Sequence, residues 1–208
     1  MILKPAEDTS LTALRLGELC IEAGLPPGVL NIVTGYGMEV GQAFAEHPGI
    51  DKVAFTGSTA TGKKVLHAAQ GNLKRVTLEL GGKSPMIVMD DADLELAIPG
   101  VANAVFFNGG QVCVAGTRLY AQRGVADQLL EGVSELARTM VLGHGLDPKT
   151  QMGPLVNPQQ ADKVSQYISA GVAAGAEAMA GGGRGGPANT FVEPTAVSYT
   201  HLTLPTKA

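Results

Sequence analysis

The chain contains no tryptophan, and phenylalanine and tyrosine bring its aromatic content to only 4%. Charged residues are also sparse, at 16%, and no block of Lys and Arg occurs. With a net charge of −4 over 208 residues, an acidic or basic disordered tail protein is excluded. Nor is there the electrostatic footprint that nucleic-acid binding needs, so no nucleic-acid partner is expected. Cysteine is scarce too: Cys20 and Cys113 are too few and too far apart for a disulfide framework. That points to a reducing, cytoplasmic setting. No apolar run approaches a membrane span, and Met1-Ile2-Leu3-Lys4-Pro5 lacks the apolar stretch of a secretory signal, so no membrane partner is expected. His47, His67, His144 and His201 show no ligand spacing, and no metal site is expected.

What is present is glycine, 28 residues of it, distributed as strand-to-helix turns require. The length suffices to bury a real core in one large or two small domains. Ile2-Leu3 reads as the end of a strand. Asp8, Thr9 or Ser10 can cap a helix whose apolar positions Leu11, Leu14, Leu19, Cys20 and Ala23 recur at helical spacing, with Gly24 as its stop. Val29 to Val33 reads as a strand, and Gly35-Tyr36-Gly37 turns into a helix through Phe44. Val53 to Thr56 is a strand, Gly57 to Gly62 opens a helix through Ala69, and Arg75 to Leu80 is a strand again. Such alternation predicts a parallel α/β sheet covered on both faces.

A second region follows Gly81-Gly82. Pro85 to Met89 reads as a strand, and Leu94 to Phe107 as a helix interrupted by Pro99 and Gly100. Leu119 to Gln122 is a strand. Amphipathic helices run through Leu129 to Met140 and Val164 to Val172, and Gly181 to Pro187 is a glycine-rich loop. No internal repeat is present.

Two residues draw attention for their chemistry. Cys113 follows Asn108-Gly109-Gly110-Gln111-Val112, a glycine-rich polar approach that makes a poor core segment. Its thiolate could attack a carbonyl, and the glycines let backbone N–H groups approach the resulting oxyanion. An arbitrary free cysteine is more often a buried hydrophobe, and Cys20, on a helix face, fits that description. Glu79 interrupts Val76, Leu78 and Leu80 at the end of an expected buried strand. A carboxylate there is costly unless paired or protonated, which makes it a candidate general acid or base. A strand-end carboxylate reaching solvent is the plainer alternative.

The glycine turns suggest a cofactor. Gly57-Ser58-Thr59-Ala60-Thr61-Gly62 could turn its N–H groups to a pyrophosphate. Gly35-Tyr36-Gly37 with Gly41 has the wrong spacing for the dinucleotide fingerprint. Residues 57–63 approximate a phosphate-binding P-loop, but Lys64 stands where that motif needs Ser or Thr, which argues against nucleotide hydrolysis. Glu7 could accept from ribose hydroxyls, and Lys4 could help hold the sugar; without context, a solvated pair at a helix entry is the better explanation.

Taken together, Lys4-Pro5-Ala6-Glu7, Phe55-Thr56-Gly57-Ser58, Leu78-Glu79-Leu80-Gly81-Gly82-Lys83-Ser84-Pro85, Gly110-Gln111-Val112-Cys113, Met152-Gly153-Pro154-Leu155 and Val192-Glu193-Pro194-Thr195 resemble the aldehyde dehydrogenase superfamily. The resemblance covers residues 2 to 197 in order. It implies part of a Rossmann-like parallel-sheet cofactor domain over 1–81, then part of an α/β catalytic domain over 82–197. It also implies NAD as cofactor, with NADP as the alternative, and a small-molecule aldehyde as substrate. By resemblance, Cys113 is the nucleophile and Glu79 the base that activates water for deacylation. Lys4 and Glu7 hold the adenosine ribose, Gly57 and Ser58 contact the cofactor phosphates, and Leu80 lies by the nicotinamide. Glu7 matches the position whose carboxylate repels a 2′-phosphate and so favours NAD.

Three departures stand out. Gly109 replaces the usual Gln. The family's upstream Asn, an oxyanion donor whose loss typically costs about a hundredfold to a thousandfold in rate, does not precede this stretch. Beyond Val197 the pattern stops, so residues 198–208 are read as a sequence-assembly or cloning artefact, a reading that resequencing the source DNA decides. The chain is thus expected to be an internal piece of a homo-oligomeric enzyme. It would lack the oligomerisation strand and show little or no activity alone. The rival readings are a noncatalytic NAD-binding module, and thiol esterase or acyl-transfer chemistry without hydride transfer.

Overall fold

The computed structural model describes residues 1–198. The chain divides into two compact units, Met1–Leu80 and Gly81 onward. Tyr199 to Ala208, most of the anomalous tail, and His201 lie outside the described residues.

In the first unit, β1 (Ile2–Leu3) pairs in parallel with β2 (Asn31–Ile32). Helix α1 (Ser10–Glu22) connects them; Thr9 occupies its N-cap position without a side-chain capping bond. Gly24, at φ +85°, ends it, a left-handed conformation that costs glycine least. A short π-helical turn over Gly37–Gly41 leads into α2 (Gln42–Glu46). Strand β3 (Lys52–Gly57) then pairs in parallel with β4 (Arg75–Leu80) across α3 (Thr59–Ala68), in the register Phe55↔Leu78, Thr56↔Glu79 and Gly57↔Leu80. Gly62 of α3 is buried, and a Cβ there would come within 2.8 Å of the Leu80 side chain. A glycine is what lets α3 close on this strand pair.

Two expectations fail in this unit. The Val29–Val33 strand shrinks to Asn31–Ile32. The sheet is also not covered on both faces. Along β4, Val76, Leu78 and Leu80 are half-buried beneath α3, while Arg75, Thr77 and Glu79 are exposed. The alternation is that of a strand with one covered face. Helix α1 likewise buries none of its residues, and Leu11 stays 80% exposed.

Lys74 is the buried charge of this unit, only 8% exposed. Its ammonium donates to His47 O at 2.7 Å and Phe44 O at 3.3 Å, at the C-terminal end of α2. The position favours a cation, because unpaired carbonyls and the negative end of the helix dipole converge there. Lys74→Met keeps the hydrocarbon stem and removes the donor. It is expected to destabilise the chain by about 2 kcal/mol, read by urea denaturation with circular dichroism. A loss under about 0.5 kcal/mol would show that the ammonium carries no such role.

In the second unit, β5 (Pro85–Val88) pairs in parallel with β6 (Arg118–Ala121). Between them runs α4 (Leu94–Phe106), capped by the Asp93 carboxylate, which accepts from Glu95 N–H at 3.0 Å. Contrary to expectation, α4 runs unbroken through Pro99. Proline's φ suits a helix, and the cost is the one i→i−4 bond that residue 99 would have donated to Glu95 O. Helices α5 (Ala126–Thr139) and α6 (Pro158–Ala173) follow. Val88, Val101, Phe106, Val125, Leu129, Val133 and Ala137 form the main core.

The chain described then closes on an antiparallel pair, β7 (Glu177–Ala180) with β8 (Ala196–Ser198), which sequence reading missed. Glu177-Ala178-Met179-Ala180 are helix formers by propensity. Packing against α5 overrides this, and Arg138 of α5 donates to Met179 O at 2.9 Å. The expected glycine loop lies between these strands, with Gly181, Gly182 and Gly186 at positive φ.

Candidate functional site

In the first unit, the candidate residues gather at the C-terminal ends of the parallel strands, where α/β sheets open their ligand crevices. Lys4 and Glu7 follow β1, and Thr34 to Gly37 follow β2. The Lys4 side chain is 15% exposed, and its ammonium donates to Pro5 O at 2.6 Å and Gly35 O at 3.0 Å and lies 3.5 Å from Glu7 Oε1. The same Oε1 accepts from Gly37 N–H at 2.5 Å. Glu7, 43% exposed, is therefore no loose surface residue. Its own backbone N–H and that of Gly37 hold its carboxyl below the usual range, outweighing partial burial, and Lys4 adds to the effect. Pro5, Ala6, Glu7, Ser10, Thr34, Gly35 and Tyr36 line an open cleft of about 210 Å³. Sequence reading weighs Gly35-Tyr36-Gly37 only as a glycine turn of the wrong spacing; that Gly35 O and Gly37 N–H meet Lys4 and Glu7 leaves no local periodicity, because the partners lie some thirty residues apart.

Gly57 and Leu80 are register partners, and Ser58 follows at once as the N-cap of α3, its Oγ accepting from Thr61 N–H at 3.1 Å. Gly57, Ser58, Glu79 and Leu80 thus share one end of the β3–β4 pair. Glu79 requires a correction: it is not a carboxylate embedded in a buried strand but sits on the exposed face of β4. The period-two alternation that covers Leu78 and Leu80 turns Glu79 the other way.

The second unit carries Cys113, which is exposed, whereas Cys20 is half-buried on α1 instead of in the core. The approach to Cys113 is unusual backbone. Asn108, Gly109 and Gly110 take φ of +52°, +62° and +73° in succession, a left-handed run that glycine tolerates and asparagine accepts at some cost. A Cβ at Gly110 would stand 3.1 Å from Val105 O. Ala115 N–H donates to Val112 O at 3.0 Å, so Cys113 rides on a tight turn. Residue 82 passes beside it, a Cβ there lying 3.7 Å from Cys113 O. Phe106 is core, while Phe107 is 66% exposed. Among the described residues, no three His, Cys, Asp or Glu side chains gather as metal ligands, and no helix is long and apolar enough to cross a membrane.

The sequence profile of the aldehyde dehydrogenase family matches residues 1–202. The chain belongs to the aldehyde dehydrogenase family. The match runs past Val197, where the motif resemblance stopped. An aldehyde dehydrogenase of Agaricus bisporus is 48% identical over 201 residues, 96% of this chain and 40% of that protein. Human retinal dehydrogenase 2 is 48% identical over 199 residues, 95% of this chain and 38% of its own length. Among solved structures, PnpE from Pseudomonas sp. WBC-3 superposes with a TM-score of 0.93 at 47% identity, covering 96% of this chain and 42% of PnpE. A second PnpE structure, in complex with nicotinamide adenine dinucleotide, superposes with a TM-score of 0.92 over 94% of this chain. The chain therefore spans about two fifths of the aldehyde dehydrogenases it matches, and its mixed α/β fold with parallel strand pairs is theirs.

Proposed function

We propose that these residues supply the nucleophile, the deacylating base and part of the cofactor site of an NAD-dependent aldehyde oxidation in the cytoplasm. The supporting observation is an exposed thiol on a tight turn after a left-handed glycine approach, in a chain matched by one enzyme family along almost its entire length.

The first unit suits the adenosine half of NAD. The cleft beside Glu7 is open, and a carboxylate has capacity for several donors, so Glu7 can take ribose hydroxyls while Oε1 keeps Gly37 N–H. Lys4 braces Gly35 and holds the carboxylate in place. Gly57 and the N-terminus of α3 offer N–H groups to phosphate. NAD, when bound, supplies the hydride acceptor. In the second unit, the Cys113 thiolate adds to the aldehyde carbon to form a thiohemiacetal. After loss of hydride, the carbon is held on Cys113 as a thioester. Glu79 then takes a proton from water, which attacks the thioester carbon, and the carboxylic acid leaves as the thiol is restored.

The test is a chimera in which residues 1–198 replace the matching stretch of PnpE. It is expected to form NADH only when both NAD and an aldehyde are present. A folded chimera that makes none defeats the proposal, and ester hydrolysis indifferent to NAD would favour the thiol-esterase reading.

Glu7 gives a separate prediction for the 208-residue chain itself. Glu7→Gln is expected to weaken NAD by about tenfold to a hundredfold, the range for a lost hydrogen bond to a charged group, and to narrow the preference over NADP. Isothermal titration reads both. Because its folded pKa is depressed, Glu7 is ionised at neutral pH, and its contribution to stability and to NAD preference is present above the ordinary carboxylate range. That contribution is lost as pH falls through the lowered folded value. Unchanged NAD affinity in Glu7→Gln would remove Glu7 from the site.

A further inference from the structure

The left-handed run Asn108–Gly110 sets up the cysteine turn but cannot hold it to the rest of its unit. The backbone bonds inside the loop are local: Gln111 N–H to Asn108 O at 3.2 Å and Ala115 N–H to Val112 O at 3.0 Å. The far end is tied by Gly116 N–H to Ala104 O at 3.1 Å. Between these points, among the described residues, a long-range hydrogen bond is made by the Gln111 side chain. Gln111 Oε1 accepts from Val156 N–H at 2.9 Å, and Gln111 Nε2 donates to Asn108 O at 3.0 Å. The first bond spans forty-five residues of sequence.

What lies on its other side is itself anchored. Leu155 is buried, and its N–H donates to Thr190 O at 2.9 Å, next to the buried Phe191. The Leu155 side chain also bounds the loop, since a Cβ at Gly109 would stand 3.1 Å from Leu155 Cδ2. Without Gln111, the run Val112-Cys113-Val114 would have little to keep it outward. Val114 is 72% exposed, and apolar side chains gain by turning in.

From this we infer that Gln111 is a positioning residue, whose carboxamide ties the cysteine turn to Val156 and so keeps the Cys113 thiol presented to solvent. The carboxamide serves both ends, its oxygen accepting from Val156 N–H and its NH2 donating to Asn108 O. The functional meaning of the tie rests on the reading of Cys113 as the nucleophile.

The test uses the 208-residue chain in a Cys20→Ser background, with Gln111→Met as an isostere that bonds to neither partner and Gln111→Glu as one that keeps the acceptor. In Gln111→Met, hydrogen exchange at the Val156 and Ala115 amides is expected to quicken by about tenfold or more, with Leu129 and Val133 in α5 unchanged. Alkylation of Cys113 by iodoacetamide is expected to slow by about fivefold as the turn folds inward. Gln111→Glu is expected to keep Val156 protected and to restore alkylation to within about twofold. Unchanged exchange at Ala115 with unchanged alkylation in Gln111→Met overturns the inference. Uniform loss of protection including α5 also counts against it, since that marks a merely structural role. If iodoacetamide fails to modify Cys113 even with Gln111 intact, the nucleophile reading falls, and exchange at Val156 and Ala115 still decides whether Gln111 holds the turn.

Discussion

Cys113→Ala in the PnpE chimera is expected to lower turnover by about ten-thousandfold or more, the loss seen when a covalent nucleophile is removed and binding remains. Cys20→Ser in the same background should leave turnover within about twofold, because Cys20 is half-buried on α1, where a hydroxyl of similar size keeps access to water. The asymmetry follows from exposure and setting. Cys113 sits exposed on a turn reached through Gly109 and Gly110, so a carbonyl can come close to the sulfur. Alanine preserves that backbone and removes only the sulfur. NAD affinity should be unaffected, since the cleft proposed for the adenosine ribose is lined by residues between Pro5 and Tyr36 and not by Cys113. Turnover that survives Cys113→Ala would mean hydride leaves an aldehyde hydrate without covalent attachment, and the thioester scheme would be abandoned.

Glu79→Gln separates the two halves of the reaction. In the chimera it is expected to retain a burst of NADH equal to the thiol present, while steady turnover falls by about a hundredfold to a thousandfold. The amide matches the carboxylate in shape but accepts no proton from water, so the thioester persists. Glu79 lies on the open face of β4, opposite Thr56 in register and beside Leu80. A solvent-facing carboxylate reaches water without the desolvation cost expected of a buried one, and changing it should not unfold the strand. Hydroxylamine, which attacks thioesters without a base, should restore turnover. A burst lost in proportion to turnover would place Glu79 before hydride transfer instead. Loss of burst and fold together would make it structural.

Much of the framework was legible before any coordinates. Arg75–Leu80 was read to the residue, and β3, β5 and β6 came within two residues of their ends. Short strands framed by glycine and proline, and helices such as Ala126–Thr139 with apolar residues every three or four positions, carry their own signal. Errors arose where burial decides. The apolar neighbours of Glu79 leave an embedded and a solvent-reaching carboxylate equally open, and the structure decides for the second, since sheet geometry sends adjacent side chains to opposite faces and Glu79 is exposed. The segment Glu177–Ala180 has the composition of a helix and became a strand through its partner Ala196–Ser198.

By itself, the order of motifs from Lys4-Pro5-Ala6-Glu7 to Gly110-Gln111-Val112-Cys113 determined the family, and local periodicity determined the alternation of strand and helix. Only tertiary structure decided that Lys4 braces Gly35, that Gly37 holds the Glu7 carboxylate, that Lys74 caps α2 and that Gln111 reaches Val156. The reason is physical. Periodicity and turn chemistry act over a few residues, while these bonds join groups 27 to 45 positions apart, and nothing in a spacing says which distant carbonyl a side chain will meet.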